Sequence, residues 1–180
     1  FNLKFSAVRG PLSRDYLVSH YGADVPEVYG DPGILFGDLF PEFRRETQNE
    51  YLVLAQHNDE PLLAKDKKLL SEHPILLCQR INQIHWSQVV QAIASANFVI
   101  SSSLHGVIIA ESLGVGARWW YDADMPSAKK ETTFKYNDYL LSTGRSVDCY
   151  ARTINEALEM GPMEAPDLSL KSSLREALPK

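Results

Sequence analysis

The stretch from Val99 to Gly114 constrains this chain most. Asn97 to Ile100 reads as a short buried strand. Ser101-Ser102-Ser103 follows, and an apolar helical stretch through Val107 then runs to Gly114. A strand that enters a helix through small polar residues leaves backbone N–H groups at the helix start. With the positive end of the helix dipole, those donors form a site for an anion. His105 falls in the first turn, facing that anion, and Ser101, Ser102, Ser103 and Gly106 are candidates to contact it. The alternative is an ordinary βα turn with a serine N-cap and a capping histidine.

The pattern around this stretch is regular. Tyr51–Ala55, Ile75–Cys78 and Ala117–Tyr121 read as further strands. Helices are predicted over Leu62–Ser71 and His85–Ala96, the latter with Trp86, Val89, Val90, Ile93 and Ala94 on one apolar face. Strands alternating with helices predict an α/β fold with a parallel, Rossmann-like sheet flanked by helices. Ligands on such sheets bind outside the carboxyl ends of the strands. The polar loops 56–60, 79–85 and 101–106 fall at that edge. Helices over Thr153–Met160 and Leu170–Leu178 end the chain.

The first residues follow the same grammar without making a full sheet. Phe5–Val8 reads as a strand, and Arg9-Gly10-Pro11 as a turn into a helix that Gly22 closes. Val25–Tyr29 is extended, Gly30-Asp31-Pro32-Gly33 turns, and Ile34–Phe40 is a short helix. Residues 1–40 are therefore expected to be the remnant of an N-terminal α/β domain. Residues 41–49 are expected to be a linker, and 50–180 a C-terminal domain.

Composition excludes several functions. The net charge is −5, and no basic block exceeds two adjacent residues, so nucleic acid is not the expected partner. Cys78 and Cys149 give neither a disulfide framework nor a zinc spacing, which makes a reducing cytoplasm the default compartment. The histidines show no metal-ligand pattern, and no metal is expected. No apolar run approaches the roughly eighteen residues of a transmembrane helix.

Several side chains carry possible chemistry. Arg9, between strand and helix, could hold a phosphate or carboxylate with its fork of donors. His57 and His105 are acid–base candidates near neutral pH. Glu111 is expected on the solvent face of its helix. Arg118 is expected at the sheet edge or toward the cleft. Lys129, Lys130, Lys135 and Arg145 give the late loops a basic character suited to an anionic ligand.

Five segments occur in a telling order: Val8-Arg9-Gly10-Pro11-Leu12-Ser13, Tyr21-Gly22, Gly30-Asp31-Pro32-Gly33, Ser101-Ser102-Ser103-Leu104-His105-Gly106, and Phe134-Lys135-Tyr136-Asn137-Asp138-Tyr139 through Gly144-Arg145. Together they resemble the polysaccharide pyruvyl transferase family, especially its bacterial exopolysaccharide branch, over residues 5 to 147. The resemblance implies a fold similar to the GT-B glycosyltransferases, with this chain as the C-terminal half plus the tail of an N-terminal domain. It implies transfer of pyruvate from phosphoenolpyruvate to sugar hydroxyls as a ketal, with no cofactor beyond that donor. His105 would then transfer protons and Arg9 bind the donor. The acceptor would be a saccharide, lipid-linked in one version, which would bring the chain to the inner face of the membrane. Two departures stand out. Ser103 occupies the position of an arginine in the Arg-Leu-His-Gly of many relatives. Relatives also carry a longer N-terminal domain, which a second copy or another chain would have to supply. Two other readings remain: a nucleotide-sugar glycosyltransferase, in which Glu111 and Gly114 would meet the nucleotide, and a non-catalytic domain that binds an anion or a partner.

Overall fold

The computed structural model describes residues 3–56, 58–59, 63, 66–77, 85–124 and 133–178. In chain order its elements are α1 (Pro11–Tyr21), a 3₁₀ turn (Pro32–Leu35), α2 (Phe36–Leu39), β1 (Leu52–Ala55), α3 (Lys67–Glu72), β2 (Ile75–Leu77), α4 (Trp86–Ala94), β3 (Phe98–Ser101), α5 (Leu104–Ser112), β4 (Gly116–Trp119), α6 (Phe134–Ser142), α7 (Ile154–Met160) and α8 (Leu170–Ala177). The four strands form one sheet in the order β2-β1-β3-β4, and every pairing is parallel. This is the Rossmann-like α/β arrangement that the alternating pattern predicts.

Strand side chains alternate between two covered faces. Val53, Ala55, Phe98 and Ile100 pack with Leu63, Trp120, Ala151 and the α7 residues Ile154 and Ala157. Leu54, Val99, Ala117 and Trp119 pack the other way, with Ile93 of α4 and with Leu104, Val107 and Ile108 of α5. Burial on both faces explains why the strands read as continuous apolar runs.

α5 is buried on nearly all sides, because the sheet lies beneath it and the 3₁₀ turn and α2 lie above. Gly37 permits this approach: a Cβ there would collide with the Ser112 carbonyl. Ile34 and Leu35 are completely or almost completely buried in the same core as Val99 and Leu104. Residues 46–49 run along the same body, with the N–H groups of Gln48 and Asn49 donating to the Ser95 carbonyl and Asn49 bridging Ala96.

The structure differs from the sequence reading in several places, among them the helix read over Leu62–Ser71, where Asp66 caps a shorter helix Lys67–Glu72. Phe5–Val8 and Val25–Tyr29 are not strands; one parallel bridge, Val8 to Tyr29, joins them. The stretch after Thr133, read as a basic loop, is the helix α6. Trp86 is 47% exposed instead of sitting in the core. It is the first residue of α4, where the buried stripe is set by Val90, Ile93 and Ala94. Cys78 and loop 79–84 lie outside the described residues. No described helix is long and apolar enough to cross a membrane.

Candidate functional site

Arg9 and His105 are 96 positions apart in sequence, and one carboxylate brings them together. Oδ2 of Asp31 lies 3.4 Å from Nε of Arg9 and 3.8 Å from Nε2 of His105. The Asp31 side chain is 10% exposed, Arg9 33% and His105 70%. The acid thus lies behind a guanidinium and an imidazole that both reach solvent.

Each of the three is fixed by local structure. Asp31 caps the 3₁₀ turn: its Oδ1 accepts the Gly33 N–H at 3.0 Å, which leaves Oδ2 for Arg9 and His105. Arg9 stands just before Pro11 opens α1. That helix start is locked to α6 by Asp138, which is fully buried. Asp138 accepts the Ser13 N–H at 3.1 Å and the Ser13 hydroxyl at 2.5 Å, a carboxylate at the positive end of a helix. Gly10 has no room for a Cβ, because the Asp138 carbonyl and Oδ1 press against that position. With Nε of Arg9 turned to Asp31, its two terminal nitrogens have no hydrogen-bond partner among the described residues.

His105 is the second residue of α5. The N-cap Ser103 makes no side-chain capping bond to the first N–H groups of α5. Ser101 and Ser102 are otherwise engaged. The Ser101 hydroxyl donates to the Leu54 carbonyl at 2.9 Å and accepts the Ser103 N–H at 3.0 Å. The Ser102 hydroxyl donates to Asp59 at 2.8 Å and accepts the Gln56 N–H at 2.9 Å. Both residues are buried, so their hydroxyls build the turn from within. That turn lies between β1 and β3, where the strand order reverses, the usual ligand crevice of such sheets. Gly106 is packed so closely that a Cβ would lie 2.7 Å from Leu54 and nearer still to the Ser101 hydroxyl.

The other expected residues are placed elsewhere. Arg145 is buried, and its guanidinium is held by both carboxylate oxygens of Glu111. Glu111 is therefore not on the solvent face: α5 is covered on the side where Tyr139 and Arg145 approach. Burial and the Glu111 carboxylate push the Tyr139 phenol far above its ordinary range. Arg118 does not face the cleft. It donates to the carbonyls of Cys149, Met160, Gly161 and Pro162, and burial lowers its pKa. The Lys135 ammonium lies over the Tyr136 ring, 5.2 Å from its centre. His57, Lys129 and Lys130 lie outside the described residues. Asp31 and Asp138 carried no functional weight in the sequence reading. Asp31 had a local signal, an acid directly before Pro-Gly, but its link to His105 is purely tertiary.

The chain is thus an α/β protein with a Rossmann-like parallel sheet, in which an arginine and a histidine gather on one carboxylate at the start of a buried helix. The family model described as polysaccharide pyruvyl transferase matches residues 2–119, from before Arg9 to the end of β4. The chain belongs to that family, which is a family of transferases. No curated protein and no solved structure matches the chain.

Proposed function

We propose that the chain transfers pyruvate from phosphoenolpyruvate to two hydroxyls of a saccharide, forming a ketal and releasing phosphate, as a step in exopolysaccharide synthesis. The observation that carries this reading is the shared contact of Arg9 and His105 with Asp31. The open fork of Arg9 and the N–H groups at the start of α5 suit the donor's carboxylate and phosphate. One acceptor hydroxyl adds to C2 of the donor while C3 gains a proton; a second hydroxyl then displaces phosphate at C2. Each hydroxyl loses its proton, and C3 must receive one. His105, exposed and oriented by Asp31, is suited to carry such protons. The nucleotide-sugar reading loses one of its supports, since Glu111 is committed to Arg145 and Tyr139.

Calorimetric titration tests the donor assignment. Phosphoenolpyruvate should bind, and His105→Ala should weaken it. Binding of UDP with no binding of phosphoenolpyruvate would replace this reading with a glycosyltransferase. Binding of neither would overturn the donor assignment for this chain.

A further inference from the structure

The half-exposed ring of Trp86 is the least expected feature of the described surface. Its indole offers a large flat apolar face together with one N–H donor. This ring is also held in place. Phe36, Phe40 and Phe43 meet it at centroid distances of 6.2, 5.9 and 5.6 Å, with interplanar angles of 81°, 63° and 59°. Those edge and tilted contacts fix the indole while 47% of the residue stays accessible.

Trp86 forms one wall of a cavity of about 220 Å³. Val89, Val90 and Ile93 of α4 and Ile109 of α5 supply aliphatic surface. Among the described residues, the polar side chains that line it are Ser103 and His105, both at the start of α5. The cavity therefore has an aromatic and aliphatic wall and a polar end, and that end carries His105.

We infer that Trp86 and this cavity form the acceptor subsite, where a pyranose ring stacks on the indole and turns its hydroxyl edge to His105. The inference rests on the transferase reading above and adds the place of the saccharide to it. A pyranose has one face of C–H groups and a rim of hydroxyls, so it matches a surface that is apolar except at one end. A hydrocarbon chain is apolar all round and gains nothing from Ser103 or His105. Among the described residues, no lysine or arginine lines this cavity to hold a free anion. Arg9 and Asp31 are not among the residues that line this cavity; they line a second one. Asp31, which lines that second cavity, lies 3.8 Å from His105, so donor and acceptor would both come within reach of His105, as a transfer between them requires.

The three tryptophans make the test direct. Trp119 and Trp120 are 1% and 3% exposed, so a soluble collisional quencher reads Trp86. The full chain is titrated with methyl glucoside, methyl galactoside and methyl mannoside, with acrylamide quenching as the readout and phosphoenolpyruvate binding measured separately by calorimetry. At least one glycoside should protect Trp86 from quenching. Trp86→Phe, measured by calorimetry, should keep most of that glycoside's affinity. Trp86→Leu, which keeps apolar bulk without a ring, should lose about tenfold, with phosphoenolpyruvate affinity unchanged. Protection by none of the glycosides overturns the inference, as does equal binding to Trp86→Leu. Protection by hexanol alone would make the cavity a hydrocarbon site and also overturn it. Loss of phosphoenolpyruvate binding with glycoside protection intact would instead fault the donor assignment.

Discussion

The guanidinium of Arg145 grips both carboxylate oxygens of Glu111, and only 2% and 4% of the two side chains is exposed. The pair is fully provided for. Tyr139 donates to Glu111 at 2.6 Å, and Nε of Arg145 donates to Thr143 at 2.9 Å. It ties α5, whose first turn carries His105, to the segment after α6. Removing one partner leaves a buried charge alone. Glu111→Gln or Arg145→Leu should each cost about 3–5 kcal/mol of stability, read as a lower midpoint in urea. Glu111→Leu combined with Arg145→Leu should cost well under the sum, because no lone charge is left. Single variants that lose less than about 1 kcal/mol would place the pair among weak surface bridges.

Tyr139 makes the same cluster sensitive to alkali. Burial first, then the neighbouring carboxylate, keeps its phenol protonated in the folded state well above the ordinary value of 10.0. The unfolded chain ionises this tyrosine near that ordinary value. The contribution is thus fully present below about pH 10 and is lost as pH rises further, at about 1.4 kcal/mol per pH unit. Tyr139→Phe should lower stability at pH 7 by about 1–3 kcal/mol. It should also flatten the fall above pH 10, seen in denaturation midpoints from pH 9 to pH 11. An unchanged alkaline slope would show that Tyr139 is not the group responsible.

Much of the scaffold was legible because its signals are local. Pro11 and Gly22 bound α1 where a first-turn proline and a left-handed glycine should, with Gly22 at φ 59°. The apolar runs at residues 52–55, 98–101 and 116–119 are strands, and Gly114 ends the α5 segment at φ 72°. What local patterns miss is pairing across the chain. Glu111 among apolar neighbours reads as solvent-facing until Arg145 is folded against it. Asp31 reads as a turn residue until α5 brings His105 within 3.8 Å. Trp86 fits the helical stripe by spacing alone, yet at the first position of α4 it turns to the Phe36–Phe43 aromatics. Asp138 gave no sign of holding α1, since its partner Ser13 is 125 positions away.

Gly106 tests how tightly the α5 start is packed. In an open helix, replacing glycine with alanine gains about 1 kcal/mol. Here the added methyl would press on Leu54 and on the Ser101 hydroxyl, both in the buried turn. Overpacking of this kind costs about 1–3 kcal/mol, which outweighs the helical gain. Gly106→Ala should therefore lower the thermal midpoint, and it should weaken phosphoenolpyruvate binding by shifting the N–H groups of the first turn. A raised midpoint would mean that the turn can give way.

Arg9 is the residue whose chemistry is least replaceable. Its Nε faces Asp31 at 3.4 Å, and one-third of the side chain is exposed. Charge-assisted bonds to an anion are worth about 1.5–3 kcal/mol, and at that exposure the lower end applies. Arg9→Ala should weaken phosphoenolpyruvate binding by about tenfold. Arg9→Lys should recover only part of that loss. An ammonium is a single point charge and cannot face Asp31 with one edge while presenting two parallel donors with another. The wild-type affinity should fall as salt rises, and the Arg9→Ala affinity should fall less steeply. Full recovery by lysine would reduce Arg9 to a general positive charge. An affinity unchanged in Arg9→Ala would leave it a structural partner of Asp31.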